Sequence, residues 1–325
     1  MSRLKISVGI KRRPSAGQVL LVFFLAMSVG GGCKPRGAGG REVIQNKGSD
    51  TMVNLAQSWA EAYQNVGPNV EVEVSGGGSG VGIAALIKGT IHVATASRNI
   101  KEQEIEQTRE STGREPVDFV VGYDALAIFV HKDNPIEEIT FEQLSEIFAE
   151  DGQITKWSQL GIHLPGRQFD EIVRVSRQSS SGTYEFLRER VLDQEDFKLG
   201  SRDMNGSKEV VELVAHVRSA IGYSGMGYET PEVKMLKVSA KAGDPPSAPT
   251  VERVLNREYP IARTLHLYTV GEPEGALKEY IEWIMSDAGQ AIVQQAGYVP
   301  LPPQSRTRRE ESGSGKPGEK ATEDR

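Results

Sequence analysis

Residues 70–88, Val-Glu-Val-Glu-Val-Ser-Gly-Gly-Gly-Ser-Gly-Val-Gly-Ile-Ala-Ala-Leu-Ile-Lys, decide the fold class. Val70, Val72 and Val74 alternate with glutamates, the two-residue period of a strand with one buried face. Small residues from Ser75 to Gly80 then turn the chain, and Gly82 to Lys88 returns to a helical pattern. A strand, a small-residue turn and a helix in that order begin an α/β unit.

The same order recurs on either side. Val43 to Gln45 is strand-like, Gly48-Ser49-Asp50-Thr51 turns, and Val53 to Tyr63 places Leu55, Ala56, Trp59 and Tyr63 at helical spacing. Ile172 to Val175 is a strand, Arg177-Gln178-Ser179-Ser180-Ser181-Gly182-Thr183 turns, and Tyr184 to Leu192 reads as a helix. Between and beyond them, Val117 to Val130 is nearly continuous in apolar residues, as for buried strands. Phe141 to Phe148 and Glu209 to Arg218 read as helices, Leu265 to Val270 as a strand, and Glu274 to Gln295 as one long amphipathic helix. The fold class is therefore α/β with largely buried sheets.

The three turns share a chemistry. The first turn of a helix offers unpaired backbone N–H groups and the positive end of the helix dipole. Glycine permits close approach, hydroxyls add donors, and together they suit a phosphate or sulfate. Any one cluster is sufficiently explained as an N-cap, worth about 1 kcal/mol to its helix. Three such clusters, one with Arg177 four residues before Ser181, point to a shared anion site.

Other chemistries find little support. The chain carries 44 Asp+Glu against 38 Lys+Arg, a formal charge of −6 over 325 residues, which argues against broad nucleic-acid binding. The glycine-rich stretch lacks the Lys-Ser/Thr ending of a P-loop, and Gly80-Val81-Gly82-Ile83-Ala84-Ala85 matches the dinucleotide pattern only loosely. No Gly-x-Ser-x-Gly elbow occurs in the body. His92, His131, His163, His216 and His266 are scattered without metal-ligand spacing. No metal, cofactor or hydrolytic site is expected.

The two ends differ from the body. Lys5, Lys11, Arg12 and Arg13 precede the apolar run Val19 to Val29, and Gly30 to Gly32 lead into Cys33, the sole cysteine. This reads as a secretory signal over residues 1–33. A cysteine directly after small residues resembles a bacterial lipoprotein signal, although Gly30 stands where such signals usually carry an apolar residue. Cys33 is then the lipidated residue, holding the protein at a membrane surface of the periplasm or cell exterior. Residues 34–41 read as a flexible tether and 304–325, with no aliphatic side chain but Ala321, as a disordered tail.

Six segments carry a family resemblance: Gly48 to Thr51, Ser75 to Gly89, Ala94 to Ile100, Tyr123 to Ala127, Arg177 to Thr183 and Tyr259 to Arg263. In this order they resemble the phosphate-binding proteins of bacterial phosphate ABC transporters (PstS-like), over about 46 to 302. The resemblance implies a two-lobed type II periplasmic-binding fold with its ligand cleft between the lobes. Lobe I would hold 42–124 and 262–303, and lobe II 125–261. It implies capture of inorganic phosphate, delivery to an ABC permease, and no catalysis. Thr51, Ser79 and Ser97 would serve the anion from lobe I, and Arg177, Ser181, Gly182 and Thr183 from lobe II. Arg98 departs from members that carry an acid there to accept the proton of phosphate. Asp124 is the substitute candidate, against a reading as a strand-end carboxylate satisfied by backbone N–H groups. Arg98 itself is either a second anion contact or a surface ion pair. Gln178 replaces an acid often found after the arginine, leaving Arg177 one fewer counter-charge. Sulfate, molybdate or tungstate binding, an exported phosphatase using the same cradle, and a surface sensor or adhesion protein are the other readings.

Overall fold

The computed structural model describes residues 40–165 and 170–306. The expected signal at 1–33 with Cys33 lies outside the described residues, as do 34–39 of the tether and 307–325 of the tail. Glu42–Gly48 (β1) leads through Val53–Tyr63 (α1) to Val70–Ser75 (β2), and Ser79–Ile87 (α2) leads to Val93–Ala96 (β3). Glu102–Thr112 (α3) precedes the longest strand, Pro116–His131 (β4). Glu138–Thr140 (β5), Phe141–Phe148 (α4), Val173–Arg177 (β6), Gly182–Arg190 (α5), Arg202–Met204 (β7), Ser207–His216 (α6) and Ala220–Gly225 (β8) follow. Then come Val233–Met235 (β9), Lys237–Ser239 (β10), Val251–Leu255 (α7), Ala262–Val270 (β11), Gly275–Met285 (α8) and Asp287–Gln295 (α9).

The main sheet runs β2-β1-β3-β11-β4-β8-β6-β7, with β9 also on β4, while β10 and β5 pair separately. β1 is parallel to β2 and β3, and β6 to β7 and β8. β4 joins the two parallel groups. Its residues Pro116 to Ala125 pair antiparallel with β11, and Leu126 to Val130 pair with β8. The apolar run read as buried strands is thus one strand that changes partner midway.

Each half of the sheet carries its own packing. Leu55, Trp59, Leu265, Tyr280 and Ile284 pack on the first half, and Ile128, Phe148, Trp157, Leu187 and Tyr223 on the second. α1 buries Leu55, Ala56, Trp59, Ala60 and Tyr63, the stripe its spacing predicts, and the Trp59 indole donates to Gly289 O at 2.9 Å.

Two expectations are corrected, and one helix stands where none was expected. The helix expected over Glu274 to Gln295 is two helices, α8 and α9, broken where Ser286 turns extended and its hydroxyl accepts from Gly289 N. The polar helix α3, which buries only Thr108, has no apolar stripe to announce it. Residues 304–306, expected within the tail, take part in the fold: Pro303–Ser305 forms a 3-10 turn, and Arg306 donates to Leu301 O and pairs with Asp287.

Candidate functional site

The three small-residue turns leave the C-terminal ends of parallel strands, where α/β folds place ligands. The structure brings them together. Gly80 N donates to Ser180 O at 3.0 Å and Ser180 Oγ to Gly77 O at 3.2 Å. Thr51 and Thr183 share a hydroxyl hydrogen bond of 2.8 Å. Gly78 takes φ +99, and a Cβ there would stand 2.5 Å from Ser180 O, so only glycine allows the second and third turns to meet this closely.

The cap explanation holds for one turn of the three. The Ser181 hydroxyl accepts from Thr183 N at the start of α5. The starts of α1 and α2 have no side-chain cap. Their hydroxyls meet at Ser97, just after β3, instead: Ser49 Oγ donates to Ser97 Oγ at 2.9 Å, and Ser97 N donates to Ser79 Oγ at 3.1 Å. Gly182 faces this group, since a Cβ on it would lie 2.4 Å from Ser79 Oγ and 2.8 Å from Ser97 Oγ.

Arg177 lies among them with its side chain wholly buried. Nη1 donates to Ser207 Oγ at 2.9 Å, and Nη2 to Asp50 Oδ2 at 3.0 Å and to Asn205 O at 2.9 Å. Its Nε–H is buried with no hydrogen-bond partner among the described residues, a donor that requires an acceptor. Burial pulls its pKa down from the usual arginine value, and Asp50 opposes the change. Asp50 is therefore the counter-charge expected to be missing at Gln178. It also accepts from Gly77 N at 2.8 Å, tying the first turn to the second.

Asp124 is fully buried beside Thr51 and Gly225. Its Oδ2 accepts from Arg263 Nε at 3.0 Å and Nη2 at 2.7 Å, while Oδ1 accepts from Met226 N at 3.2 Å. Burial pushes its pKa up and Arg263 pulls it back. Arg263 reaches further, donating to Ser97 O at 3.3 Å and to Thr51 Oγ1 at 3.4 Å. The pair thus forms the floor beneath Thr51 and Ser97. Arg98 resolves toward an ion pair: both its Nη groups bond Glu104, at 2.8 and 2.7 Å, and it is only 8% exposed.

All eight site residues named from the sequence, Thr51, Ser79, Ser97, Asp124, Arg177, Ser181, Gly182 and Thr183, are buried and gathered at this junction. Asp50, Ser207 and Arg263 were missed as members. Asn205-Gly206-Ser207 before α6 is a fourth small-residue helix start, a signal of the kind already in use. The fixed charges balance, with Arg177 and Arg263 against Asp50 and Asp124. What remains is a dense set of hydroxyls and helix starts, an arrangement able to hold a compact oxyanion by hydrogen bonds and dipoles.

This architecture and site define a two-lobed solute-binding protein of the type II periplasmic-binding fold. The profile of the PBP superfamily domain matches residues 35–288. The phosphate-binding protein PstS of Pseudomonas aeruginosa is 35% identical over 270 residues, 80% of this chain and 83% of that protein. The PstS of Bacillus subtilis is 30% identical over 78% of this chain and 79% of its own. A crystal structure of a putative phosphate ABC transporter substrate-binding protein with bound phosphate, from Clostridium perfringens, superposes with a TM-score of 0.70 at 28% identity, covering 80% of this chain and all of that one. The chain belongs to the PBP superfamily and, within it, to the family of the PstS phosphate-binding proteins.

Proposed function

We propose that this chain captures inorganic phosphate outside the cytoplasmic membrane, closes two lobes over it and delivers it to an ABC-type permease without breaking a bond. The observation that carries the reading is the meeting of three helix starts around the buried Arg177 in a site whose fixed charges cancel. The names and the bound phosphate of the relatives above support the same ligand. Lobe I is assigned to 42–124 and 262–303 and lobe II to 125–261. The change of partner along β4 between Ala125 and Leu126 favours that division.

In this reading Thr51, Ser79, Ser97, Ser181 and Thr183 supply hydroxyl donors, Gly182 a close backbone approach, and Arg177 the guanidinium. A methyl group on Gly182 would strike two buried serine oxygens that have no solvent to move into. Gly182→Ala is therefore expected to weaken phosphate binding by about tenfold or more, with each tenfold worth about 1.4 kcal/mol. Fluorescence or calorimetric titration checks this.

Asp124 is assigned the acceptor of the phosphate proton. A carboxylate there accepts that proton but meets a sulfate oxygen with like charge and nothing between them. Two of its three hydrogen bonds come from one arginine on Oδ2, so Oδ1 retains acceptor capacity. Calorimetric titration with phosphate, sulfate, molybdate and tungstate tests the function. Phosphate should bind without competition from sulfate, and Asp124→Asn should admit sulfate. Wild-type protein that binds another oxyanion and not phosphate would sink the proposal. A mutant that still rejects sulfate would leave Asp124 a purely structural partner of Arg263.

Export follows from the basic start, apolar run and Cys33, which we assign as the lipidated residue. Cys33→Ser should move the protein from the membrane fraction to the soluble one while phosphate affinity stays the same. Retention of the mutant on membranes would place the anchor elsewhere.

A further inference from the structure

Beside the junction just described lies a cavity of about 830 Å3. Its walls come from the paired ends of β11 and β4, from the segment after β3, from α5, and from the end of α7. Lys101 on one side of it reaches Glu185 on the other at 2.5 Å. The volume falls in the range of small-molecule sites, and a bare oxyanion would leave most of it wet.

Its charges are unevenly matched. Arg98, Lys101 and Arg263 line it, and each already has a carboxylate partner, Glu104, Glu185 and Asp124. Arg190 and Arg257, both exposed, also line it and have no carboxylate within ion-pair distance among the described residues. Arg190 Nε donates only to Pro260 O, at 3.1 Å. Against these two cations stands one lining carboxylate, Glu189. Phe186, Tyr123, Leu255 and Pro302 add apolar surface to the lining, with the Arg263 guanidinium already over the Phe186 ring at 5.7 Å.

We infer that this cavity is a second ligand site, for an organic phosphomonoester carrying a planar ring of the nucleoside monophosphate class. Two unmatched guanidinium groups fit the two charges of such a phosphate, which arginine holds through paired N–H donors. The aromatic and aliphatic wall accommodates the ring, and Glu189 offers an acceptor to a ring amino group. Because the walls come from both sides of the Lys101–Glu185 bridge, a ligand held by all of them favours the arrangement in which those sides meet. By reciprocity it tightens binding at the phosphate site. This coupling rests on the proposed function; occupancy of the cavity does not.

The probe is adenosine 5′-monophosphate, titrated calorimetrically into the full chain with and without saturating inorganic phosphate. The variant is Arg190→Gln with Arg257→Gly. Arg257 sits at φ +60, a conformation that glycine takes without strain, so the variant should fold. Wild type should bind the nucleotide in the presence of phosphate, and phosphate should bind several-fold tighter in the presence of the nucleotide. The variant should lose about tenfold or more in nucleotide affinity and keep its phosphate affinity in the absence of nucleotide. Displacement of the nucleotide by phosphate, equal affinity in wild type and variant, or no binding at millimolar nucleotide would each overturn the inference. Nucleotide binding that depends on Arg190 and Arg257 in a protein blind to phosphate would uphold this site and refute the proposed function instead.

Discussion

Arg177→Ala is expected to cost about 3–5 kcal/mol of phosphate binding, the range for breaking a buried charge pair by removing one partner. Two losses combine. The anion forfeits a guanidinium whose Nε–H has no other acceptor among the described residues. Asp50, held at 3.0 Å from Arg177 in the intact protein, is left as an unopposed negative charge in an anion site. Adding Asp50→Asn to the alanine variant removes that second loss, so the double variant should bind more tightly than Arg177→Ala alone. Titration of wild type, both single variants and the double variant measures the coupling. If Arg177→Ala binds like wild type, the third turn is a helix cap and nothing more.

Arg263→Met should have its largest effect on stability. The Asp124 side chain is 0% exposed and that of Arg263 is 2% exposed, so the substitution strands a carboxylate in the interior. The expected loss near neutral pH is about 3–5 kcal/mol. Its pH dependence distinguishes it from a simple packing defect. In the intact protein burial already raises the Asp124 pKa above its ordinary 3.8, and Arg263 limits the rise. A carboxyl with a raised folded pKa stabilises the fold when protonated and loses that contribution as pH climbs from 3.8 through the folded value. Without Arg263 the rise is greater, so the window in which ionisation opposes folding extends further upward. The melting-temperature gap between wild type and variant should therefore narrow as pH is lowered from 7 toward 5. A gap that stays constant with pH would assign the loss to packing.

The sequence was most legible where one short segment carried a complete local signal. Gly78, Ser79, Ser181, Gly182 and Thr183 sit in strand–turn–helix units, so their place at a helix start could be read without tertiary structure. The site's counter-charges could not be read this way. Arg263 meets Asp124 across 139 positions and Asp50 meets Arg177 across 127, and nothing in either local pattern names the partner. Arg98 is a related case: its partner Glu104 lies on α3, whose polar sequence gave no helical stripe. Ser286 was hidden for the opposite reason. The apolar period runs through it unbroken from α8 into α9, and only its extended backbone reveals two helices.

The position of β11 governs when this chain can fold. Residues 262–270 lie in the middle of the sheet, between β3 and β4, and pair His266 with Ala96 across 170 positions. Until that strand arrives, β3 has a bare edge and the first half of β4 lacks the partner it meets at β11. A growing chain therefore cannot complete the first half of its sheet as it emerges, because the keystone is supplied in the last fifth of the sequence. Long-range pairing of this kind delays the folding transition. If the chain is exported as proposed above, such delay keeps it threadable, because its sheet locks only after β11 has crossed.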